Sequence, residues 1–422
     1  MSTNNTVDIL VRNASEFLTC KPKNPKKPKM GKDLADLKII NNGAVAIKNG
    51  KIVFVGKSND ANFSAKKVID AKGKVVMPGF VDCHTHAIFA GSRENEFLKK
   101  LQGIAYLDIL EQGGGILSTV KKTRKASKEE LFKVAEKRFK KMLEYGTTTV
   151  EVKSGYGLTF KDEKKILEVA DMLKKKLPID IVKTYLGAHA VPKNISKKEY
   201  IKEILFSLKT MKQYAEFCDV FCEKGIFTVE ETREILTSAK NLGFKLKLHG
   251  EQYNTLNSTQ LAADLNAVSI DHLDHISSGG IKALRDKGVI GVLLPGCPFY
   301  LRENKYAPAR ELINKNVVIA IASDFNPGSC PTFNMQLMIT LACLNMKLLP
   351  QEAINCATIN AAFAIDRASE IGSLEAGKKA DIIVLDIDNH NKLPYYFGIN
   401  LVETVIKSGR VVFDKSRTSA KR

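Results

Sequence analysis

Eight short apolar runs that alternate with amphipathic helical patterns constrain the fold of this chain more than any other feature. The runs begin at residues 75, 147, 180, 218, 245, 267, 289 and 317. Helical patterns separate them, and one of these opens with Ser127 and Glu130 spaced as a capping box. Eight strand–helix units with buried, β-branched strands predict an α/β fold, a TIM-like (β/α)8 barrel. An open doubly wound sheet is the alternative, and the count of eight argues against it.

The two ends of the chain carry strand patterns of a different kind. Residues 44–56 form two alternating runs joined by Asn49-Gly50, and residues 401–413 form another pair around Ser408-Gly409. Both dipeptides are typical of hairpin turns. Neither end holds enough apolar residues for a core of its own. We therefore expect residues 1–75 and 371–422 to form one composite β-sandwich domain, and residues 76–370 to form the barrel.

Polar side chains stand at the C-terminal ends of seven of the eight barrel runs. They are His84 and His86, residues 151–156, His189, Glu223, His249, His272 and Asp324. Six of the seven histidines of the chain lie at such ends. Because barrel enzymes build their sites at the carboxyl ends of the strands, the sequence predicts a site at this face.

His84-Thr85-His86 is the sharpest motif in the chain. Residues i and i+2 of a strand face the same side, so the two imidazoles can converge on one ion. His249 and Asp324 end two other runs and would complete a set of three nitrogen ligands and one oxygen ligand. We expect this set to hold one divalent or trivalent metal ion, zinc or iron. The alternatives are a packed core histidine at 249 and a helix cap at 324.

Several of these segments resemble the amidohydrolase superfamily. PGFVDCHTH (78–86) is similar to its first-strand signature, and GSLEAGKKADIIVLD (372–386) to its closing segment. A narrower resemblance, to the ring-opening hydrolases of histidine breakdown, rests on GSRENEF (91–97), GGGILSTV (113–120), EVKSGYGL (151–158), GAHAVP (187–192), FCEKGIF (221–227), DFNPGS (324–329) and FGINLVETVIKSGRVV (397–412). The resemblance spans roughly residues 40 to 415. The resemblance implies metal-activated hydrolysis of 4-imidazolone-5-propanoate to N-formimino-L-glutamate.

The resemblance also implies a set of substrate contacts. A propanoate group needs a fixed cation, and the guanidinium of Arg93 offers a bidentate fork. The turn after Pro327 is expected to present free backbone N–H groups to the amide-like product. The substrate-binding candidates are Arg93, Tyr106, Tyr156, His189, Gln252, Asn326, Gly328 and Ser329. Tyr106 could equally be a core or helix residue, and His189 a packing residue.

Proton transfer is assigned to Asp324 and His272. His272 resembles the general acid–base histidine of the family, although Asp271 and His275 are neighbours that could be confused with it. The resemblance implies a glutamate at position 252 in many relatives, whereas this chain has Gln252, which cannot act as a base. Lys153 is interpreted as structural, not as the carboxylated lysine that bridges two metals in some amidohydrolases.

The net charge of +19 raises the alternative of a nucleic-acid-binding protein. No RNP-like, zinc-finger or helix-turn-helix pattern is present, and the chain contains no Trp. Lysines alternate with glutamates along the helical patterns, so the charge is expected to be solvated, and the lysine-rich segment 21–32 is expected to be an exposed loop. The remaining enzyme alternative is a deaminase acting on a ring amidine.

The chain shows no apolar run of membrane-spanning length and no secretory signal at its start. Its eight cysteines are scattered, and we expect reduced thiols, mostly in the core. The sequence thus predicts a cytoplasmic enzyme with a small-molecule substrate and with no nucleic-acid or membrane partner, and it leaves a homodimer open.

Overall fold

The computed structural model describes residues 6–104, 108 and 113–416. The chain begins with five strands: β1 (Thr6–Leu18), β2 (Ile39–Lys48), β3 (Lys51–Lys57), β4 (Ser64–Asp70) and β5 (Val75–Pro78). Short 3-10 helices lie at Gly31–Ala35 and Ser58–Asp60. Between β2 and β3, Asn49 and Gly50 have φ of 53° and 78°, as a two-residue hairpin turn requires. The first predicted hairpin is confirmed.

A parallel barrel of eight strands follows. The strands are β6 (Phe80–Asp82), β7 (Thr147–Lys153), β8 (Asp180–Ala188), β9 (Phe217–Cys222), β10 (Lys245–Gly250), β11 (Ser269–His272), β12 (Ile290–Leu293) and β13 (Ile319–Ile321). Each strand is hydrogen-bonded to the next, from β6 to β13. The predicted barrel is confirmed, because all eight runs form its strands.

The barrel closes just beyond the ends of β6 and β13. The Asp324 N–H donates to the His84 carbonyl at 3.1 Å, and the His86 N–H donates to the Phe325 carbonyl at 2.9 Å. An isolated parallel bridge joins Thr85 to Phe325. These bonds bring the first and last strands together and exclude the open sheet.

Helices connect and cover the strands. They are α1 (Glu94–Leu101), α2 (Ile116–Lys125), α3 (Lys128–Glu144), α4 (Phe160–Lys176), α5 (Lys197–Met211), α6 (Val229–Asn241), α7 (Ser258–Leu265), α8 (Ser278–Lys287), α9 (Gly296–Leu301), α10 (Ala309–Asn314), α11 (Met335–Met346), α12 (Pro350–Cys356), α13 (Ile359–Ala364) and α14 (Lys392–Tyr395). The predicted capping box begins α3: the Ser127 hydroxyl accepts from the Glu130 N–H at 3.1 Å, and the Glu130 carboxylate accepts from the Ser127 N–H at 2.8 Å. Helical spacing then buries Leu131, Ala135 and Phe139 on one face of this helix.

None of the helices in the described part of the chain is long and apolar enough to cross a membrane.

Three further strands return to the first five: β14 (Ile382–Leu385), β15 (Val402–Lys407) and β16 (Arg410–Asp414). β14 pairs antiparallel with β5, which gives the order β16-β15-β14-β5-β1-β2-β3, with β4 beside β1. Side chains from both chain ends, among them Ile9, Val45 and Ile382, share one buried cluster. The predicted composite domain is therefore present, as one connected sheet, while its boundaries at 75/76 and 370/371 stay predictions.

The lysine-rich segment 21–32 is only partly the exposed loop that we expected. Lys29 is 4% exposed, and its backbone N–H donates to the side-chain oxygen of Asn360 at 2.9 Å. Its ammonium group donates to the Asp36 carbonyl. The expectation is wrong at Lys29 because this segment packs against the barrel helix that carries Asn360, and composition alone does not reveal that contact.

Candidate active site and metal centre

Three histidines and one aspartate converge at the carboxyl ends of β6, β10 and β13. One ring nitrogen from each of His84, His86 and His249 lies within 4.8 Å of the other two. Oδ1 of Asp324 lies 3.4 Å from Nε2 of His84 and 3.7 Å from Nε2 of His86. All four side chains are buried. The structure thus brings together the four residues that the sequence predicted as metal ligands.

The hydrogen bonding of the histidines suits a metal ion. Nε2 of His84 and Nε2 of His249 are buried without a hydrogen-bond partner among the described residues. Nδ1 of His84 lies 2.6 Å from Asp271 Oδ2, and Nδ1 of His249 lies 3.0 Å from Asp219 Oδ1. A carboxylate on Nδ1 directs the lone pair of Nε2 toward a metal. Burial and the nearby Lys153 ammonium hold the pKa of both imidazoles well below the ordinary value, so both rings are in the neutral form that ligation needs.

Five buried charged residues, which we term the buried ionic layer, lie beneath the ligands. They are Glu151, Lys153, Asp219, Lys247 and Asp271, each at most 1% exposed. Nζ of Lys153 lies 2.7 Å from Asp219 Oδ2, 3.1 Å from Glu151 Oε2 and 3.3 Å from Asp271 Oδ2. An ammonium surrounded by three carboxylates supports the interpretation of Lys153 as a structural residue.

The sequence reasoning missed Asp219 and Lys247, and it did not place Glu151 or Asp271 in an ionic layer. Lys247 lies 3.2 Å from Glu151, and its ammonium donates to the Cys83 carbonyl at 2.9 Å. The available signal was a charged residue two positions before a site residue, as in Lys247 and His249, within an otherwise apolar strand. Residues with that spacing share a face of the strand, so both point into the barrel.

The structure distinguishes the three candidates for proton transfer near residue 272. The ring of His272 lies 5.8 Å from that of His84 and 5.5 Å from that of His249, and it lines the cavity above the ligands. Asp271 points the other way and holds His84. His275 is half-buried and lies 3.2 Å from the Lys305 ammonium, away from the cavity. Burial lowers the pKa of His272 to about 4, so its ring is neutral.

A cavity of about 840 Å³ extends from the ligands toward the surface. The predicted substrate contacts that line it are Arg93, Tyr156, His189, Gln252, Asn326, Gly328 and Ser329. Tyr106 lies outside the described residues. The apolar part of the lining includes Phe97 and Tyr300, whose rings stack at 5.4 Å.

Arg93 is one of three cationic residues of the described chain that line this cavity, with Lys100 and Arg302. Its Nε and Nη2 donate to Glu96 at 2.8 and 2.7 Å, which holds one edge of the guanidinium. The other edge faces Gly328, where a Cβ atom would lie 2.2 Å from Nη1. A side chain at position 328 would therefore displace the Arg93 guanidinium from its present place, although the two residues are far apart in sequence.

The turn after Asp324 differs from the expectation of free backbone donors. The N–H groups of Gly328 and Ser329 both donate to the side-chain oxygen of Asn326 at 2.8 Å. The Ser329 hydroxyl donates to Asp324 Oδ2 at 3.2 Å. The expectation is wrong because Asn side chains readily accept hydrogen bonds from nearby backbone N–H groups. This turn instead orients Asp324.

Three other predicted contacts lie around the ligands. His189 stacks on His86 with 4.9 Å between ring centroids, and the Tyr156 ring lies 5.7 Å from His86. Gln252 donates to the Cys297 sulfur at 3.4 Å. Cys297 is a buried neighbour that the sequence reasoning did not single out. Glu251, the neighbour of Gln252, points away from the cavity, and its carboxylate accepts from the Ser258 N–H at 3.0 Å.

This barrel with a buried cluster of three histidines and an aspartate defines a class of metal-dependent hydrolases. The model of the Amidohydrolase family matches residues 75–412, and the chain belongs to that family. An imidazolonepropionase of Alkaliphilus oremlandii is 46% identical over 419 residues, which cover 97% of this chain and 99% of that protein. The imidazolonepropionase of Staphylococcus saprophyticus is 47% identical over 408 residues, covering 96% and 98%. Within the amidohydrolases, the chain belongs with the imidazolonepropionases.

Solved structures agree on the fold. An adenosine deaminase from Xanthomonas campestris with bound zinc superposes with a TM-score of 0.72 at 19% identity, covering 99% of this chain and 97% of that one. A triazine hydrolase from Arthrobacter reaches 0.70 at 17% identity, covering 98% of each chain. At this identity the likeness extends to the fold alone.

Proposed function

We propose that this protein hydrolyses 4-imidazolone-5-propanoate to N-formimino-L-glutamate, the reaction implied by the name of its imidazolonepropionase relatives. The observation that carries the proposal is one turn of the cavity wall that contacts both Arg93 and Asp324. Gly328 packs against the Arg93 guanidinium, and Ser329 hydrogen-bonds to Asp324. A substrate with a carboxylate at one end and a cyclic amide at the other therefore fits between a cation and the cluster of histidines.

We propose one metal ion, zinc or iron, held by His84, His86, His249 and Asp324. The Nε2 atoms of His84 and His249 are buried and have no hydrogen-bond partner among the described residues. With a ring nitrogen of His86 and an oxygen of Asp324 they form a donor set of three nitrogens and one oxygen, which suits either ion. When bound, such an ion polarises a carbonyl oxygen and lowers the pKa of a water molecule.

The chain's own residues would bind the substrate and move its protons. The edge of Arg93 that faces Gly328 binds the propanoate, while Glu96 holds the opposite edge. In the reaction a water oxygen bonds to the carbonyl carbon, the ring C–N bond breaks, and the ring nitrogen gains a proton. A carboxylate oxygen of Asp324 takes the proton from the water, and His272 assists as the second proton carrier. Gln252 hydrogen-bonds to the ring without ionising.

The basic charge of the surface does not require a nucleic-acid partner. Lysines on the helices pair with acidic residues one turn away, as in Lys140 with Glu136 at 2.9 Å and Lys392 with Asp388 at 2.8 Å. We therefore keep a small molecule as the ligand of this protein. A cytoplasmic location and a homodimer stay predictions.

Turnover by the purified protein, loaded with one equivalent of Zn²⁺ or Fe²⁺, tests the proposal. We expect the imidazolone to disappear, N-formimino-L-glutamate to form, and no ammonia to be released. Ammonia release would favour the deaminase alternative, and no turnover with either metal would contradict the proposal. His249→Ala should lose both the metal and turnover. His275→Ala, the matched control outside the ligand cluster, should keep both.

A further inference from the structure

Lys153 lies between the two carboxylates that orient ligand histidines from opposite sides of the site. Its Nζ is 2.7 Å from Asp219 and 3.3 Å from Asp271. Asp219 is 3.0 Å from Nδ1 of His249, and Asp271 is 2.6 Å from Nδ1 of His84. One continuous chain of polar contacts therefore runs from His84 through Lys153 to His249. We propose that Lys153 is a positioning residue that sets the orientation of both histidines toward the metal.

Because these polar contacts are buried, the orientation of His84 and His249 depends on Lys153. Side chains of Lys153, Asp219 and Asp271 are 0% exposed, so no water replaces a lost partner. Without the ammonium, the two carboxylates would face each other across a dry interior, where like charges repel strongly. The carboxylates would then rotate apart, and each would take its histidine out of alignment.

The net charge of the buried ionic layer suits a site that holds a divalent cation. Counted as ionised, three carboxylates and two lysines carry three negative and two positive charges, a sum of −1. Asp324 brings the sum to −2, which a divalent cation neutralises. Buried charges are tolerated where they are paired in this way.

Lys247 offers a matched control within the same layer. It carries the same charge, and its side chain is also 0% exposed. Its ammonium contacts Glu151 at 3.2 Å, but it is 4.0 Å from Asp271. Among the described residues it forms no ion pair with Asp219. Removing Lys247 thus removes a buried charge without interrupting the polar contacts that link His84 to His249.

Zinc affinity of Lys153→Met and Lys247→Met, measured by competition with a chelator, tests the inference. Lys153→Met should weaken zinc binding roughly 10- to 100-fold, the usual effect of losing a residue that orients metal ligands. Lys247→Met should weaken it less than about threefold. If zinc affinity fell equally in both variants, Lys153 would act only as a buried charge, and the proposal would be overturned. Binding of two zinc equivalents by the parent would overturn it as well.

A second variant covers the case in which Lys153→Met fails to fold. Asp219→Asn removes the charge that pairs with Lys153 and preserves the shape of the side chain. It should weaken zinc binding about tenfold, and unchanged affinity would refute the proposal. The inference rests on the proposed metal centre, but the two fail differently. A parent that binds zinc without opening the imidazolone ring refutes only the proposed function, whereas normal zinc affinity in Lys153→Met refutes only this inference.

Discussion

Replacing Arg93 with methionine removes the cation that we expect to hold the propanoate. The side chain of Arg93 is only 10% exposed, and Glu96 occupies two of its nitrogens. Methionine keeps much of the length and apolar bulk, so the cavity wall should persist. The change therefore isolates the charge and its hydrogen bonds.

The expected size of the loss follows from the burial of the ion pair. A charge-assisted pair in a desolvated site is worth about 2–5 kcal/mol. At about 1.36 kcal/mol per tenfold, this corresponds to a loss of about 30-fold to about 5,000-fold in kcat/KM. We expect the upper half of that range, because Glu96 is only 13% exposed and would stay unpaired beside the substrate carboxylate. Arg93→Met combined with Glu96→Gln should recover part of the loss.

Steady-state kinetics on two substrates provide the assay. The propanoate substrate should show the full loss with Arg93→Met. A propanamide analogue, which has no charge at that end, should react equally with the parent and the variant. Arg285→Met serves as the control, since Arg285 is exposed and, within the described part of the chain, its guanidinium pairs with the neighbouring Asp286 alone. The reasoning is refuted if kcat/KM for the propanoate stays within threefold of the parent, or if both substrates lose equally.

Other residues give further predictions. His272→Asn should lower kcat by roughly 10²–10⁴-fold while metal content stays unchanged, with His275→Asn as the control; loss of metal would mean that the ligand set is wrong. Gln252→Ala should mainly raise KM, and abolished turnover of bound substrate would contradict its role as a hydrogen-bonding residue. Burial raises the pKa of Asp274 from 3.8 to about 7. Between these two pH values the folded state holds a proton on Asp274 that the unfolded chain releases. The free energy of unfolding should therefore fall as the pH rises from about 4 to about 7. Asp274→Asn should flatten that decline in denaturant titrations against pH. Chelation of the metal should lower the melting temperature, because an ion that binds only the folded state stabilises it.

The barrel and its proposed metal ligands were predictable because each can be recognised from a short stretch of sequence. Each strand is a short apolar run, and His84, His249 and Asp324 each follow such a run directly. The composite sheet was predictable for a different reason, since neither chain end could bury its apolar residues alone. Spacing along one strand reports which side chains share a face.

The contacts across the barrel interior were not predictable in this way. Nothing in the sequence pairs Lys153 on β7 with Asp219 on β9, because the register between strands is set by the packing of the whole barrel. Glu163 is another case: its buried carboxylate accepts the N–H groups of Gly155, Gly157 and Leu158 and so shapes the turn that carries Tyr156. From the sequence alone, a glutamate in the first turn of α4 cannot be told from an ordinary helix-capping residue.

The barrel closes between its first and last strands, so it can close only after the last strand has been synthesised. Ser323 hydrogen-bonds to Asp82 where the barrel closes, and the two residues are 241 positions apart. At translation rates of about 5–20 residues per second, the histidines after β6 wait about 12 to 48 seconds before Asp324 is made. During that interval the edge of β5 that β14 will cover is open to pairing with other chains. A nascent chain of this protein therefore cannot complete the proposed ligand set until residue 324 has been made, and its β5 edge lacks the β14 partner until residue 385 has been made.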